Sequence, residues 1–454
     1  MERRKKVERN FQPYVFGPIP TWEEPKRERH GLKMKYNKEC LSFIDHSVSC
    51  FHVIENMEKK LLENGFFKLN EKDEWKLEAG KSYYVTRGAS SLAAFRIPYG
   101  KWVGFHITAS HSDSPSFKLK TNPEMKVEDK YLKLNTEGYG GMIYSTWFDR
   151  CLSVAGQIVC KEGDGLKSVN VNIDEDLLVI PSLAIHMNRE ANKGMEFNPQ
   201  TDLLPLMGGN KAKGSLFRRI SDQAKVREED ILGSDLFLYV REKGKLAGAE
   251  KELMIAPRLD DLECVYASME AIVETQPENY CSMCVVFNNE EVGSLTRCGA
   301  ASTFLKDTLE RIGEGVGRNR SDYLRLLADS FVISADNAHA FHPNHPEKAD
   351  PENRPVLNGG IVIKHHGSQK YATDAYSEAV MKALCQKAQV PYQDYHNRSD
   401  IPGGSTLGNI STGQVSIPTV DIGLAQLAMH SAVETAGSRD VGYLVQVLKK
   451  FYEK

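Results

Sequence analysis

From Glu252 to the C-terminus, short apolar runs alternate with amphipathic helical patterns, and few architectures accept that alternation. ELMIAP reads as a strand and runs into RLDDLECVYASMEAIVE, where Leu262, Val265, Met269 and Ile272 line one helical face. CVVF, FVISAD and TVDIG are further short buried-strand patterns, each leading to a polar loop, while YSEAVMKALCQKA and GYLVQVLKKFYEK read as helices. The expected class is α/β, a mixed sheet flanked by helices. Between about Lys118 and Lys251 the texture changes. KYLKLNT, CLSVAGQIVC, SVNVNI and DLFLYV alternate with Gly, Asn and Asp turns, the pattern of a separate β-rich domain. The resulting layout is a folded body in two parts, 34–117 and 252–454, with 118–251 inserted between them. There is no internal repeat.

Ahead of the first strands, YYVTRGASSLAAFRIP and KWVGFHITASHSDSP, one amphipathic helix is expected from Tyr36 to Asn64. Leu41, Ile44, Val48, Phe51, Ile54, Met57 and Leu61 recur every three or four residues, and Gly65 suits a C-cap. Residues 1–33 carry Pro13, Pro18, Pro20 and Pro25 and little periodicity, so we expect an N-terminal extension, as a misassigned start codon would produce. Its first residues, MERRKKVERNFQPY, lack the apolar region of a secretory signal. No stretch approaches the roughly 18 apolar residues that cross a bilayer. Lys plus Arg total 58 and Asp plus Glu 61, a formal charge of -3 that argues against a strongly basic nucleic-acid binder or a polybasic membrane binder. The nine cysteines lack the density of a secreted disulfide scaffold. The lone C-x-x-C at Cys281 and Cys284 has no second pair, so thiols in a buried strand are the simpler reading. A cytoplasmic enzyme is the expectation.

The acids and histidines fall where chemistry is expected. Ser110-His111-Ser112-Asp113, Arg258-Leu259-Asp260-Asp261, Asn289-Glu290-Glu291 and Ser334-Ala335-Asp336 each end an expected strand, and His430 follows the last one. Strand carboxyl ends face the ligand crevice in α/β sheets, so these distant residues could meet at one site. Each has a plainer alternative. Asp260 or Asp261 could cap the following helix. Glu290-Glu291 could be a solvated turn, Asp336 a turn residue, and His430 a satisfied helical histidine. His111 and Asp113 share a strand face, and a carboxylate beside a histidine can fix its tautomer.

The ordered set resembles the aspartyl aminopeptidase family of dinuclear zinc exopeptidases. The resemblance is carried by HSDSPSFKLK at 111–120, YGGMIYSTWFDR at 139–150, PSLAIHMNR at 181–189 and NPQTDLLPL at 198–206. It continues through PRLDDL at 257–262, NNEEVGS at 288–294, SADNAHAFHPN at 334–344 and QLAMHSAVE at 426–434. These matches run in family order from about Phe66 onward. One departure is Asp261, where a familiar member has Asn after the bridging Asp; the change alters charge nearby but removes no ligand.

The resemblance implies a zinc-exopeptidase-like fold and two Zn2+ per subunit. One zinc would take His111 and Asp336, the other Glu291 and His430, with Asp260 bridging. Glu290 would be the general base, and Asp113 would orient His111. The family further implies a large homo-oligomer, a dodecamer, with 118–251 as its oligomerisation domain. His186 would then reach the active site of a neighbouring subunit. His339, in the His339, His342, His345 run, would serve the substrate side; a further metal site there is the alternative. Lys364 would lie near the pocket for an acidic side chain, or be an ordinary strand lysine. The expected activity is removal of N-terminal Asp or Glu from peptides. A neutral-residue aminopeptidase or deacylase would use the same metal site. A non-catalytic assembly or cargo protein is disfavoured, because all five expected ligands and the base are present. No nucleic-acid or membrane partner is expected.

Overall fold

The computed structural model describes residues 28–453, with side chains from residue 35 onward. Most of the expected extension lies outside the described residues, and the first helix, Glu28–His46, begins before Met34. The expected single helix from Tyr36 to Asn64 is broken. Glu28–His46 ends at Ser47-Val48-Ser49 and a second helix, Cys50–Glu63, follows. The break has a distant cause. The Arg258 guanidinium donates to the carbonyls of Ile44 at 3.1 Å and Ser47 at 3.2 Å, satisfying acceptors that a helix end leaves open. Ser49 takes extended dihedrals ahead of the second helix. That helix closes as expected at Gly65, whose φ is +77°. Phe66 N–H donates to Leu61 O and Gly65 N–H to Leu62 O, the paired bonds of a glycine-terminated helix.

The architecture is α/β, a 13-stranded mixed sheet flanked by helices. Four parallel strands form its centre in the order Tyr280–Phe287, Gly104–His111, Phe331–Ala335 and Thr419–Leu427. Their carboxyl ends therefore open on one edge. Gly104–His111 is buried at every position, which is why its apolar residues do not alternate. One face packs Leu262, Val265, Met269 and Ile272 of the helix Leu259–Glu274 against the C-terminal helix Asp440–Tyr452. The opposite face packs Phe304, Leu309 and Ile312 of the helix Phe304–Gly315. Cys281 and Cys284 lie in the buried strand as free thiols on opposite sides of the sheet, so they share neither a bond nor a ligand site.

A second sheet of six strands runs Gly165–Asn172, Leu152–Glu162, Ile231–Val240, Ser116–Val127, Tyr131–Tyr139 and Leu206–Gly209, antiparallel throughout. It has its own core around Phe117, Leu134, Leu152, Ile158 and Leu236. No helix among the described residues is long and apolar enough to cross a membrane.

Candidate metal centre

The parallel centre of the large sheet delivers His111 from the end of Gly104–His111, the Glu290-Glu291 pair from the turn after Tyr280–Phe287, and Asp336 from the end of Phe331–Ala335. His430 comes from the turn after Thr419–Leu427, with φ +66°. Asp260 arrives differently from the expectation. The strand before it, Leu253–Ala256, is peripheral and antiparallel to its neighbours Lys245–Ala247 and Glu434–Gly437. Asp260 and Asp261, joined by a cis peptide bond, have non-helical dihedrals in the first turn of the following helix.

The six side chains converge. His111 Nε2 lies 3.6 Å from Asp260 Oδ1 and 3.6 Å from Asp336 Oδ1. His430 Nε2 lies 3.3 Å from Asp260 Oδ2 and 3.4 Å from Glu291 Oε2. Two triads result, His111-Asp260-Asp336 and Asp260-Glu291-His430, each with its ligand atoms within 4.8 Å of one another. Asp260 belongs to both and turns one oxygen toward each histidine. Glu290 borders the same space, grouped with His111 and Glu291.

Both imidazoles are held from behind. His111 Nδ1 is 3.0 Å from the carbonyl of Asp113, and His430 Nδ1 is 2.8 Å from the carbonyl of Gly141. A carbonyl can only accept, so each Nδ1 carries a proton, and Nε2, the nitrogen that faces the carboxylates, is the one free to become a metal ligand when it gives up its own proton. Asp113 thus meets His111 through its main chain, its Oδ1 being farther at 3.5 Å. The Asp113 carboxylate instead accepts the backbone N–H of Glu290 at 3.1 Å and Glu291 at 3.2 Å, and the Tyr139 hydroxyl at 2.7 Å.

Several contributors were missed from sequence. Tyr139 and Gly141 come from the end of the second sheet. Gly140 between them has φ +76°, and a Cβ there would lie 3.1 Å from Glu291 Cβ, so the chain passes too close for a side chain. Glu434 is buried and accepts the backbone N–H of Asp260 at 3.1 Å and of His430 at 2.7 Å. Its position four residues after His430 in QLAMHSAVE was the available signal. Asp261 accepts the His111 N–H at 3.1 Å.

Electrostatics define what the cluster needs. Burial, then the Asp260 charge, push the Glu291 carboxyl well up. Burial also raises Glu290 to about 7, opposed by His111 and reinforced by Asp336 and Asp113. Burial lowers the His430 imidazole, yet Asp260 and Glu291 outweigh it and lift the group to about 10. The cluster thus holds protons on Glu291 and His430 that a bound cation would displace. Asp260 Oδ1 and Glu291 Oε1 are buried without a hydrogen-bond donor. An imidazole and carboxylate set with unspent oxygens and a demand for positive charge fits zinc.

Lys364 is buried and its ammonium lies 3.2 Å from Asp336 Oδ2. Burial alone would raise Asp336, but Lys364 and His111 hold it well below the usual carboxylate range. His339 sits on the short strand Ala338–His339, its ring edge-on to Tyr395 at 6.3 Å. His342 and His345 have ring centroids 5.1 Å apart and, among the described residues, join no metal-ligand group with His339. His186 is exposed on the segment 181–190, and no contact joins it to the cluster. A further triad, His365, Glu378 and Asp394, already has Lys382 bound between its two carboxylates, 2.6 Å from Glu378 and 3.1 Å from Asp394.

Comparison with known proteins finds relatives along nearly the whole chain. The profile of the family described as aminopeptidase I zinc metalloprotease (M18) matches residues 43–452. The chain is 45% identical over 428 residues to a probable M18 family aminopeptidase 2 of Clostridium novyi, covering 92% of this chain and 99% of the relative. It is 38% identical over 431 residues to the protein of the same name in Pseudomonas aeruginosa, covering 93% and 99%. Among solved structures, a chain of the Ape4 and Nbr1 complex superposes with a TM-score of 0.90 at 35% identity, covering 94% of this chain and 87% of that one. The S. cerevisiae mApe1 dodecamer gives 0.80 at 27% identity, covering 92% and 96%.

Proposed function

The chain belongs to the aminopeptidase I zinc metalloprotease (M18) family, and from that premise we propose that it removes N-terminal residues, above all Asp and Glu, from peptides at a two-zinc centre. The observation that carries the two-metal reading is Asp260, which turns one carboxylate oxygen toward His111 and the other toward His430. His111 and Asp336 would hold one ion, Glu291 and His430 the other, with Asp260 common to both. When bound, zinc supplies a Lewis acid that polarises the scissile carbonyl and lowers the pKa of water.

The chain's own groups do the rest. Glu290 accepts a proton from water at its carboxylate and returns it to the departing amine. Burial raises its carboxyl, the direction that suits a group able to take and return a proton near neutral pH. Asp113, through the N–H groups of Glu290 and Glu291, fixes the turn that carries base and ligand. The carbonyls of Asp113 and Gly141 fix the two imidazole tautomers.

The relative from S. cerevisiae is described as a dodecamer. We carry a large homo-oligomer, a dodecamer, over to this chain, with 118–251 as the oligomerisation domain. The exposed Leu183, Ile185 and Met187 around His186 suit a surface that meets another subunit, where His186 would enter the neighbouring site. The enzyme would work in the cytoplasm on peptides.

Acidic specificity rests on Lys364, with His339 beside it on the substrate side. A second reading, a neutral-residue aminopeptidase, is favoured by one observation. The Lys364 ammonium is already engaged by Asp336 at 3.2 Å. Elemental analysis of the purified protein, coupled to a panel of aminoacyl chromogenic substrates, tests both readings. Two zinc per chain with preference for Asp and Glu is expected. Preference for Leu would select the second reading, and full turnover in metal-free protein would sink the two-zinc centre.

A further inference from the structure

We propose that Arg354, in the cleft beside the metal-ligand cluster, binds a carboxylate of the peptide on the far side of the scissile bond. This deepens the aminopeptidase reading and rests on it. The cleft has a volume of about 240 Å³. His339 and Tyr395 line it, and Tyr395 is the register partner of Lys364, the residue that contacts Asp336. His339 also feels the charges of Asp260, Asp336 and His430, so the cleft adjoins the cluster through these two residues.

The loop after His339 lines the cleft as well. Two backbone bonds tie that loop down, Ala340 N–H to Gln426 O at 2.8 Å and Phe341 N–H to Pro355 O at 2.7 Å. The charged groups along the wall differ in what they have left to offer. Arg398 is held by both carboxylate oxygens of Asp400, at 2.7 and 2.8 Å. Asp350 accepts from the backbone N–H groups of Glu352 and Asn353 and from the Asn353 amide. Arg354 has no carboxylate partner among the described residues. Its guanidinium lies over the Phe341 ring, 5.0 Å from the centroid. A cation resting on an aromatic face is positioned while its N–H edge stays unspent, and that edge matches a carboxylate with two parallel hydrogen bonds.

On the near side, the side-chain carboxylate of an N-terminal Asp or Glu is the group assigned to Lys364. A peptide with a free N-terminus is cationic at that end, which suits the carboxylates of the cluster and is repelled by Arg354. The only carboxylates beyond the scissile bond are an acidic side chain and, in a short peptide, the C-terminus. Either supplies the chemistry that Arg354 recognises.

The test uses the full-length protein and tripeptides X-Ala-Ala, X-Ala-Ala-amide and X-Ala-Glu-amide, where X is its preferred residue on the chromogenic panel. Arg354→Gln should raise KM about 10-fold for one or both of X-Ala-Ala and X-Ala-Glu-amide, with kcat little changed. X-Ala-Ala-amide, which has no carboxylate beyond the scissile bond, and the chromogenic X substrate should be unaffected. Arg354→Lys, which keeps the charge but not the fork, should recover part of the loss. An effect confined to X-Ala-Ala assigns the C-terminal carboxylate; an effect extending to X-Ala-Glu-amide assigns the side chain. No change in any KM, or an equal change for X-Ala-Ala-amide, would overturn the proposal. So would a selective loss on the chromogenic substrate, which would make Arg354 a reader of the first side chain. A wild-type protein that turns over none of these substrates would fail the aminopeptidase reading itself.

Discussion

The Nδ1 atom of His430 and the carbonyl oxygen of Gly141 lie 2.8 Å apart although 289 positions separate them in the chain. That bond reaches from the last turn of the large sheet to the end of the second one. Two residues earlier, the Tyr139 hydroxyl donates to Asp113 at 2.7 Å and accepts from the Asn289 amide at 2.9 Å. The second sheet therefore supplies part of the wall behind both histidines, and small displacements of 139–141 would be felt at the cluster.

Tyr139→Phe removes one hydroxyl from that wall and leaves Asp113 short of a donor. A buried hydrogen bond to a charged group contributes about 1.5–3 kcal/mol. Expressed as misplacement of the Glu290 turn, the loss should lower kcat about 10-fold with little change in KM. Elemental analysis should find the metal content unchanged, because Tyr139 contacts no ligand atom of the two triads. Loss of metal would show that the wall holds ligands rather than the base.

Glu290→Gln and Asp260→Ala should separate base from bridge. Glu290→Gln keeps the side chain's shape and should lower turnover about 10²–10⁴-fold while both metals remain. Asp260→Ala deletes the carboxylate common to both triads and should release metal. Metal content and steady-state kinetics on the same preparations check the pair, and the reverse pattern would exchange the two roles. Chelation of the wild type should abolish activity, with recovery on adding Zn2+.

The centre of the sheet was legible from short apolar runs such as CVVF and FVIS, which buried parallel strands favour, although Gly104–His111 is buried throughout while carrying His106, Thr108 and Ser110. His111, Glu290, Glu291, Asp336 and His430 could then be gathered at one edge. Asp260 was found for an incomplete reason, since its preceding strand runs antiparallel at the sheet's periphery and the helix start sets its position. The break at Ser47-Val48-Ser49 was hidden because the apolar period continues across it. Its cause, Arg258, is 211 positions from Ser47. Tyr139 and Gly141 were hidden for a similar reason: a hydroxyl and a carbonyl at a strand end leave no pattern until a distant partner is known.

Glu274 supports a pH prediction away from the cluster. Its carboxylate accepts from Lys449 at 2.8 Å, Lys35 at 3.0 Å and the Tyr36 hydroxyl at 2.9 Å, joining the first and last helices. Burial opposes its ionisation, but Lys449, Lys35 and Tyr36 outweigh burial and depress the carboxyl to about 2. A depressed carboxyl stabilises the fold above its unfolded pKa of about 4.3, and the contribution disappears as pH falls toward the folded value. With solvent screening, Glu274→Gln should cost about 1 kcal/mol at pH 7. Urea melts of both proteins at pH 7 and at stepped values below 4.5 should show that difference shrinking. A difference independent of pH would assign the loss to packing.

Lys364→Met tests substrate choice against the ion pair that the structure shows. The ammonium is buried against Asp336 at 3.2 Å and lies 5.5 Å from the Tyr371 ring centroid. Met keeps the length and removes the charge, so Asp336 loses its cation and turnover of every substrate should fall somewhat. If Lys364 also receives the side-chain carboxylate of the substrate, an Asp substrate loses a further charge-assisted hydrogen bond that a Leu substrate never had. That bond contributes roughly 1.5–3 kcal/mol, about one to two orders of magnitude. The expected outcome is therefore a ratio of kcat/KM for Asp over Leu that drops at least about 10-fold, carried mainly by KM for Asp. A ratio that stays constant while both activities fall would confine Lys364 to holding Asp336. The acidic pocket would then have to be built from other residues.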